Sequence, residues 1–157
     1  MQSESARMSS AAEARFRVQA PNSLPRSVKV IALDGVARPV VERLGRAGWR
    51  YASFLSVIAP DTLRDFAGET RSIPHEVSTA DLVILVAGPG GQANAASDIG
   101  AACSLRRVMT TGFLVGTAAA PQSEVSKTLA QLRPWSLMVV IAGSDDYLDD
   151  MMTALRA

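Results

Sequence analysis

The sequence predicts an α/β domain over residues 28–157: a mostly parallel, Rossmann-like sheet with helices on both faces. Short apolar, β-branched runs recur ("VKVIAL", "DLVILVA", "SLMVVIA"), as expected of strands covered on both sides. Segments with apolar residues at helical spacing lie between them. The two kinds alternate along the chain, and strands joined through helices run parallel, with right-handed crossovers.

Residues 1–27 are rich in Ser, Ala and Arg and contain Pro21 and Pro25, so a flexible N-terminal tail is expected, with a short helix over 11–18 as the alternative. "VKVIAL" (28–33) is the first strand. In 34–48, Val36, Val40, Val41 and Leu44 share a helical face, and Gly48 suits the stop. Residues 50–58 form a second strand. Residues 60–68 are expected to make one or two helical turns, and 69–77 an irregular edge strand. "DLVILVA" (81–87) is the clearest strand, followed by a small-residue helix over 92–108. A strand at 111–117 precedes a helix at 123–132, for which Ser123 is the expected cap. The last strand is 136–142. The last helix, 144–156, opens with Ser144 and acidic residues that suit its dipole.

Composition narrows the function. Hydrophobic residues make up 48% and charged residues 20%, and the formal charge is +1. That balance gives no electrostatic case for nucleic acid. The apolar runs are too short to span a bilayer, so no membrane association is expected. One cysteine and one histidine exclude an intramolecular disulfide and a Cys/His metal cluster. The start lacks the apolar core of a secretory signal, and a cytoplasmic protein is expected.

In parallel sheets, ligands bind beyond the carboxyl ends of the strands. The candidate loops are 33–38, 58–62, 87–92, 117–122 and 142–146. The stretch "AGPGGQAN" (87–94) is the most suggestive. Its glycines let backbone approach a ligand, and the helix that follows offers N–H groups to phosphate. Asn94 and Ser97 offer side-chain hydrogen bonds. The same residues also suit an ordinary sharp turn, with the small residues of the helix over 92–108 allowing close packing. No Gly-Lys-Ser/Thr follows, so it is not a Walker loop.

"DLVILVAGPGGQANAASDIGAA" resembles the glycine-rich segment of the FtsZ/tubulin family, in which a strand beginning with Asp runs into a multi-glycine loop and a helix. "VKVIALDGVARPVVERL" is similar to the family's first strand, first nucleotide loop and first helix. "TTGFLVG" and "LAQLRPWSLMVVIAGSDDYLDD" resemble later elements in the same order. The resemblance covers roughly residues 28–150. It implies a nucleotide-binding fold and a ligand of GTP or GDP, with Mg only if nucleotide binds. The departures bear on activity. Gly88, Gly90 and Gly91 stand at the family's first glycines, but Gln92, Ala93, Asn94, Ala95 and Ala96 replace the rest. Asp34, Gly35, Val36, Ala37, Arg38 and Pro39 replace the first loop; Asp34 repels an anion, Arg38 offsets it, and Pro39 stands where the family has a guanine-reading Asn. The central helix and second domain are not expected in this chain, so a complete GTPase site is not expected either.

The expected ligand site is therefore Gly88, Gly90, Gly91, Gln92 and Asn94, with Gly35 and Arg38 across the cleft. The ligand is a nucleotide or another phosphate-bearing small molecule. The alternatives are a non-catalytic protein-interaction module on a degenerate nucleotide-binding scaffold, and an unrelated Rossmann-like binding domain or enzyme. His75 is expected at the surface, Cys103 buried and inert, and the acids at 145–150 as dipole partners rather than a magnesium site. The apolar side of the last helix (Leu148, Met152, Leu155) is expected to be partly uncovered, which makes it the candidate surface for a homodimer or protein partner.

Overall fold

The computed structural model describes residues 26–144, 146–155 and 157. The expected tail and its helix over 11–18 fall almost wholly outside them. Seven strands form one sheet: β1 (Val28–Ala32), β2 (Ala52–Ala59), β3 (Thr62–Asp65), β4 (Thr70–Ser72), β5 (Leu82–Ala87), β6 (Met109–Leu114) and β7 (Met138–Ile141). Among the described residues five α-helices accompany them: α1 (Arg38–Gly45), α2 (Ile73–Ser78), α3 (Ala95–Leu105), α4 (Gln122–Leu132) and α5 (Asp146–Ala154). The strand order is β4-β3-β2-β1-β5-β6-β7. The five strands from β2 to β7 in that order run parallel, while β3 and β4 add antiparallel. The fold is thus α/β with a mostly parallel sheet. None of the described helices is long and apolar enough to cross a membrane.

Alternating side chains supply the two faces. Val28, Val30, Ala32, Ile84, Val86 and Phe113 pack with Val41 and Leu44 of α1 and Leu148 and Met152 of α5. Ile31, Leu55, Val83, Leu85 and Leu114 pack on the other side with α2, α3 and α4, through Val77, Ile99, Cys103, Leu129 and Leu132. Every residue of β5 is buried, which is why its sequence is apolar without alternation.

Several expectations change. Residues 60–68 are not helical. Asp61 takes a left-handed conformation (φ 63), and the chain turns back as β3 with Leu63 buried beneath it. The segment 69–77 divides into β4 and α2; Ser72 accepts the His75 N–H as N-cap, and Pro74 sits where a helix start tolerates it. Ser123 does not cap α4, whose N-cap position is Pro121 without a side-chain hydrogen bond. On the apolar side of the last helix Leu148 and Met152 are fully buried against the sheet, while Leu155, just past its end, is partly buried. Little of the apolar surface expected to meet a partner there is therefore exposed.

Candidate functional site

β1 leads through α1 to β2 on one side of the sheet, and β5 leads through α3 to β6 on the other. The carboxyl ends of β1 and β5 thus flank a topological switch point, where such folds open a crevice. A crevice of about 500 Å3 lies there, lined by Asp34, Gly35, Arg38, Gly91, Gln92, Asn94 and Asp98 among others. It brings together Gly35, Arg38, Gly91, Gln92 and Asn94 of the predicted site. Gly88 and Gly90 do not line it.

The glycine-rich turn is closed by the chain's own groups. Asp34 Oδ1 accepts the Ala37 N–H at 2.8 Å, and its Oδ2 accepts the Gly88 N–H at 3.0 Å. The carboxylate therefore sits between the start of α1 and the loop after β5, a position suited to an anion by both N–H groups and helix dipole. A Cβ on Gly91 would collide with that carboxylate, and one on Gly88 with the Val36 side chain. Gly90 has φ +75, and a Cβ there would meet Glu124 Oε2 at 2.9 Å. Each of these glycines is thus accounted for by packing or backbone conformation within the chain.

The helix that follows is engaged as well. The Ala93 N–H donates to Gln131 Oε1, and Gln131 Nε2 donates to Asn94 Oδ1 at 2.9 Å. Ser97 Oγ donates to the Asn94 carbonyl rather than facing the crevice as a free donor. Arg38 is exposed at the rim, opposed by the carboxylates of Asp34 and Asp98 among the lining residues.

A second cavity, of about 600 Å3, was not anticipated. It opens beside the first residues of β2, which precede the β3 pairing at Leu55, and is lined by Lys29, Ser53, Phe54, Asp65, Phe66, Arg71, His75 and Glu76 among others. Lys29 Nζ lies 2.9 Å from Glu76 Oε2, and both side chains are buried. Arg71 reaches Glu69 at 3.0 Å, Asp65 at 3.3 Å and Glu76 at 3.8 Å. The one sequence signal was a lysine inside "VKVIAL", a charge where a doubly covered strand should be apolar. His75 is exposed, as expected.

Two ionisation consequences follow. The Glu69 backbone N–H, with Arg71 and the Ala67 N–H, holds the Asp65 carboxyl below its ordinary range against the opposing effect of desolvation. The folded pKa is depressed, so this contribution is present above about pH 4, the ordinary carboxylate value, and is lost as pH falls through the folded value. Amide exchange in the 65–71 turn is expected to quicken in acid before that of β5. Burial pushes the Cys103 thiol up, countered only by Thr110. Cys103 is therefore expected to ignore a thiol reagent such as DTNB in the native state and to react fully in denaturant.

Among the described residues no group of three or more His, Cys, Asp or Glu side chains is placed to hold a metal ion. No family model matches the chain, and no curated protein matches it.

Proposed function

We propose that this chain is a non-catalytic module on a nucleotide-binding scaffold, a diverged relative of the FtsZ/tubulin nucleotide-binding domain that acts without hydrolysing nucleotide. One observation carries this reading: the Asp34 carboxylate holds the Gly88 and Ala37 N–H groups, the donors that a phosphate would otherwise use. The fold is then complete without ligand. A polyphosphate entering the crevice would meet Asp34 and Asp98, with Arg38 as the cation among the lining residues.

A second reading keeps a ligand. The crevice gathers Arg38, Gln92 and Asn94 at the switch point, which supports a nucleotide or other phosphate-bearing molecule held at the rim, with Mg only alongside nucleotide.

Thermal unfolding with GTP, GDP, ATP and inorganic phosphate, with and without Mg, separates the two. The first reading expects no stabilisation of the wild-type chain. The second expects a rise that Arg38→Ala removes; a ligand at a hundredfold excess over Kd contributes about 2.7 kcal/mol. Asp34→Ala is expected to cost about 1–3 kcal/mol by orphaning its two N–H donors. Under the first reading, the same variant also gains a stabilising response to inorganic phosphate that the wild type lacks.

A further inference from the structure

A notch in the sheet makes room for the second cavity. β2 pairs with β1 from Ala52 onward, but β3 joins its outer side only from Leu55. Over residues 52–54 that outer side has no strand among the described residues, and the cavity of about 600 Å3 lies beside it. Its lining comes from both layers: Phe54 packs with the α1 side, while Lys29 meets Glu76 of α2. Small-molecule sites have this size and combine apolar walls with a few placed polar groups.

The ion-pair cluster in the cavity is short of acceptors. Asp65 Oδ1 accepts the Ala67 and Glu69 N–H groups, and its Oδ2 accepts from Arg71 Nη2. Glu76 Oε2 lies 2.9 Å from Lys29 Nζ. Arg71 carries five N–H donors, yet its hydrogen bonds, to Asp65 and Glu69, both leave from Nη2. Its Nη1 stands 3.8 Å from Glu76 Oε1, beyond hydrogen-bond length, and its Nε is buried without a partner. Lys29 donates to Glu76 and, at 3.4 Å, to Ser53 Oγ, which leaves one of its three N–H groups over. Unused donors on two cations call for an anionic acceptor. The charged lining balances, with Lys29, Arg46 and Arg71 against Glu42, Asp65 and Glu76, so it accommodates one negative charge and opposes several. Phe54, half-buried, and Phe66, exposed, add aromatic surface to the same lining.

We propose that this cavity binds a small monocarboxylic acid with a ring-sized apolar body. The carboxylate takes the unused donors of Arg71 Nη1 and Lys29, a pairing that suits the planar guanidinium. The apolar body lies against Phe54 and Phe66. The proposal does not rest on the crevice, which lies at the carboxyl ends of β1 and β5, whereas this cavity lies beside the amino end of β2.

The test is a 1H–15N NMR titration of the full chain with phenylacetate, and with phenylacetamide as its uncharged match. Phenylacetate is expected to move the amides of residues 53–55 and 65–71 saturably, with a Kd of about 1 mM or below. Phenylacetamide is expected to bind at least about tenfold more weakly. Arg71→Gln is expected to raise the Kd by about tenfold or more. Arg71 also holds Asp65 and Glu69, so Phe66→Ala, which trims an exposed side chain, is the second variant and is expected to raise the Kd about threefold or more. No saturable movement at about 10 mM phenylacetate overturns the proposal. Equal binding of the amide overturns it too, as does a Kd that neither variant changes. Movement confined to the amides of Ala37, Gly88 and Gly91 would put the acid in the crevice and overturn it as well.

Discussion

Replacing Glu76 with alanine is expected to destabilise the domain by about 3–5 kcal/mol, the cost of leaving a buried partner charge alone. Lys29 projects from β1, near the centre of the sheet, and its Nζ lies 2.9 Å from Glu76 Oε2 on α2. Its other polar neighbour is Ser53 Oγ, at 3.4 Å. Without Glu76 the ammonium must be dehydrated without compensation or drag water into the sheet. The double variant Lys29→Met/Glu76→Leu removes both desolvation costs and is expected to recover most of the loss, because apolar replacements of buried ion pairs are often neutral or better. Urea unfolding of the single and double variants measures both. A cost below about 1 kcal/mol for Glu76→Ala, the value of an exposed pair, would mean that water reaches the pair.

Met152→Ala is expected to cost about 2–5 kcal/mol, as for other large-to-small changes in a packed core. Met152 and Leu148 are fully buried and belong to the cluster with Val86 and Phe113. If α5 instead lay loosely on the surface with its apolar side free, the same change would fall within about 0.5 kcal/mol. Asp150→Ala, on the exposed side of the same helix, is the matched control and is expected to stay near wild type. Denaturant midpoints at constant m separate the two cases.

The central strands were legible because burial on both faces leaves a continuous apolar run, as in Leu82–Ala87. The β3–β4 hairpin was not. "PDTLRDF" offers few apolar positions, and its fate turns on a left-handed Asp61 and a β2 edge that local periodicity does not reveal. α5 was placed correctly along the chain, but which surface its apolar stripe covers is a tertiary fact. The crevice was legible in outline: alternation of strand and helix puts residues 33–38 and 87–94 at one end of the sheet. What fills the glycine turn was not legible, since Asp34 and Glu124 reach it from separate segments. Lys29, Arg71 and Glu76 likewise come from three elements, and only the lysine stood out in its local pattern.

The most direct test of the closed glycine turn is residue-resolved. In a 1H–15N NMR titration of the wild-type chain with GTP and Mg, the amides of Ala37, Gly88 and Gly91 should not move. A saturable displacement of those amides by GTP would contradict this account, because it would mean that ligand phosphate, not the Asp34 carboxylate, holds the turn.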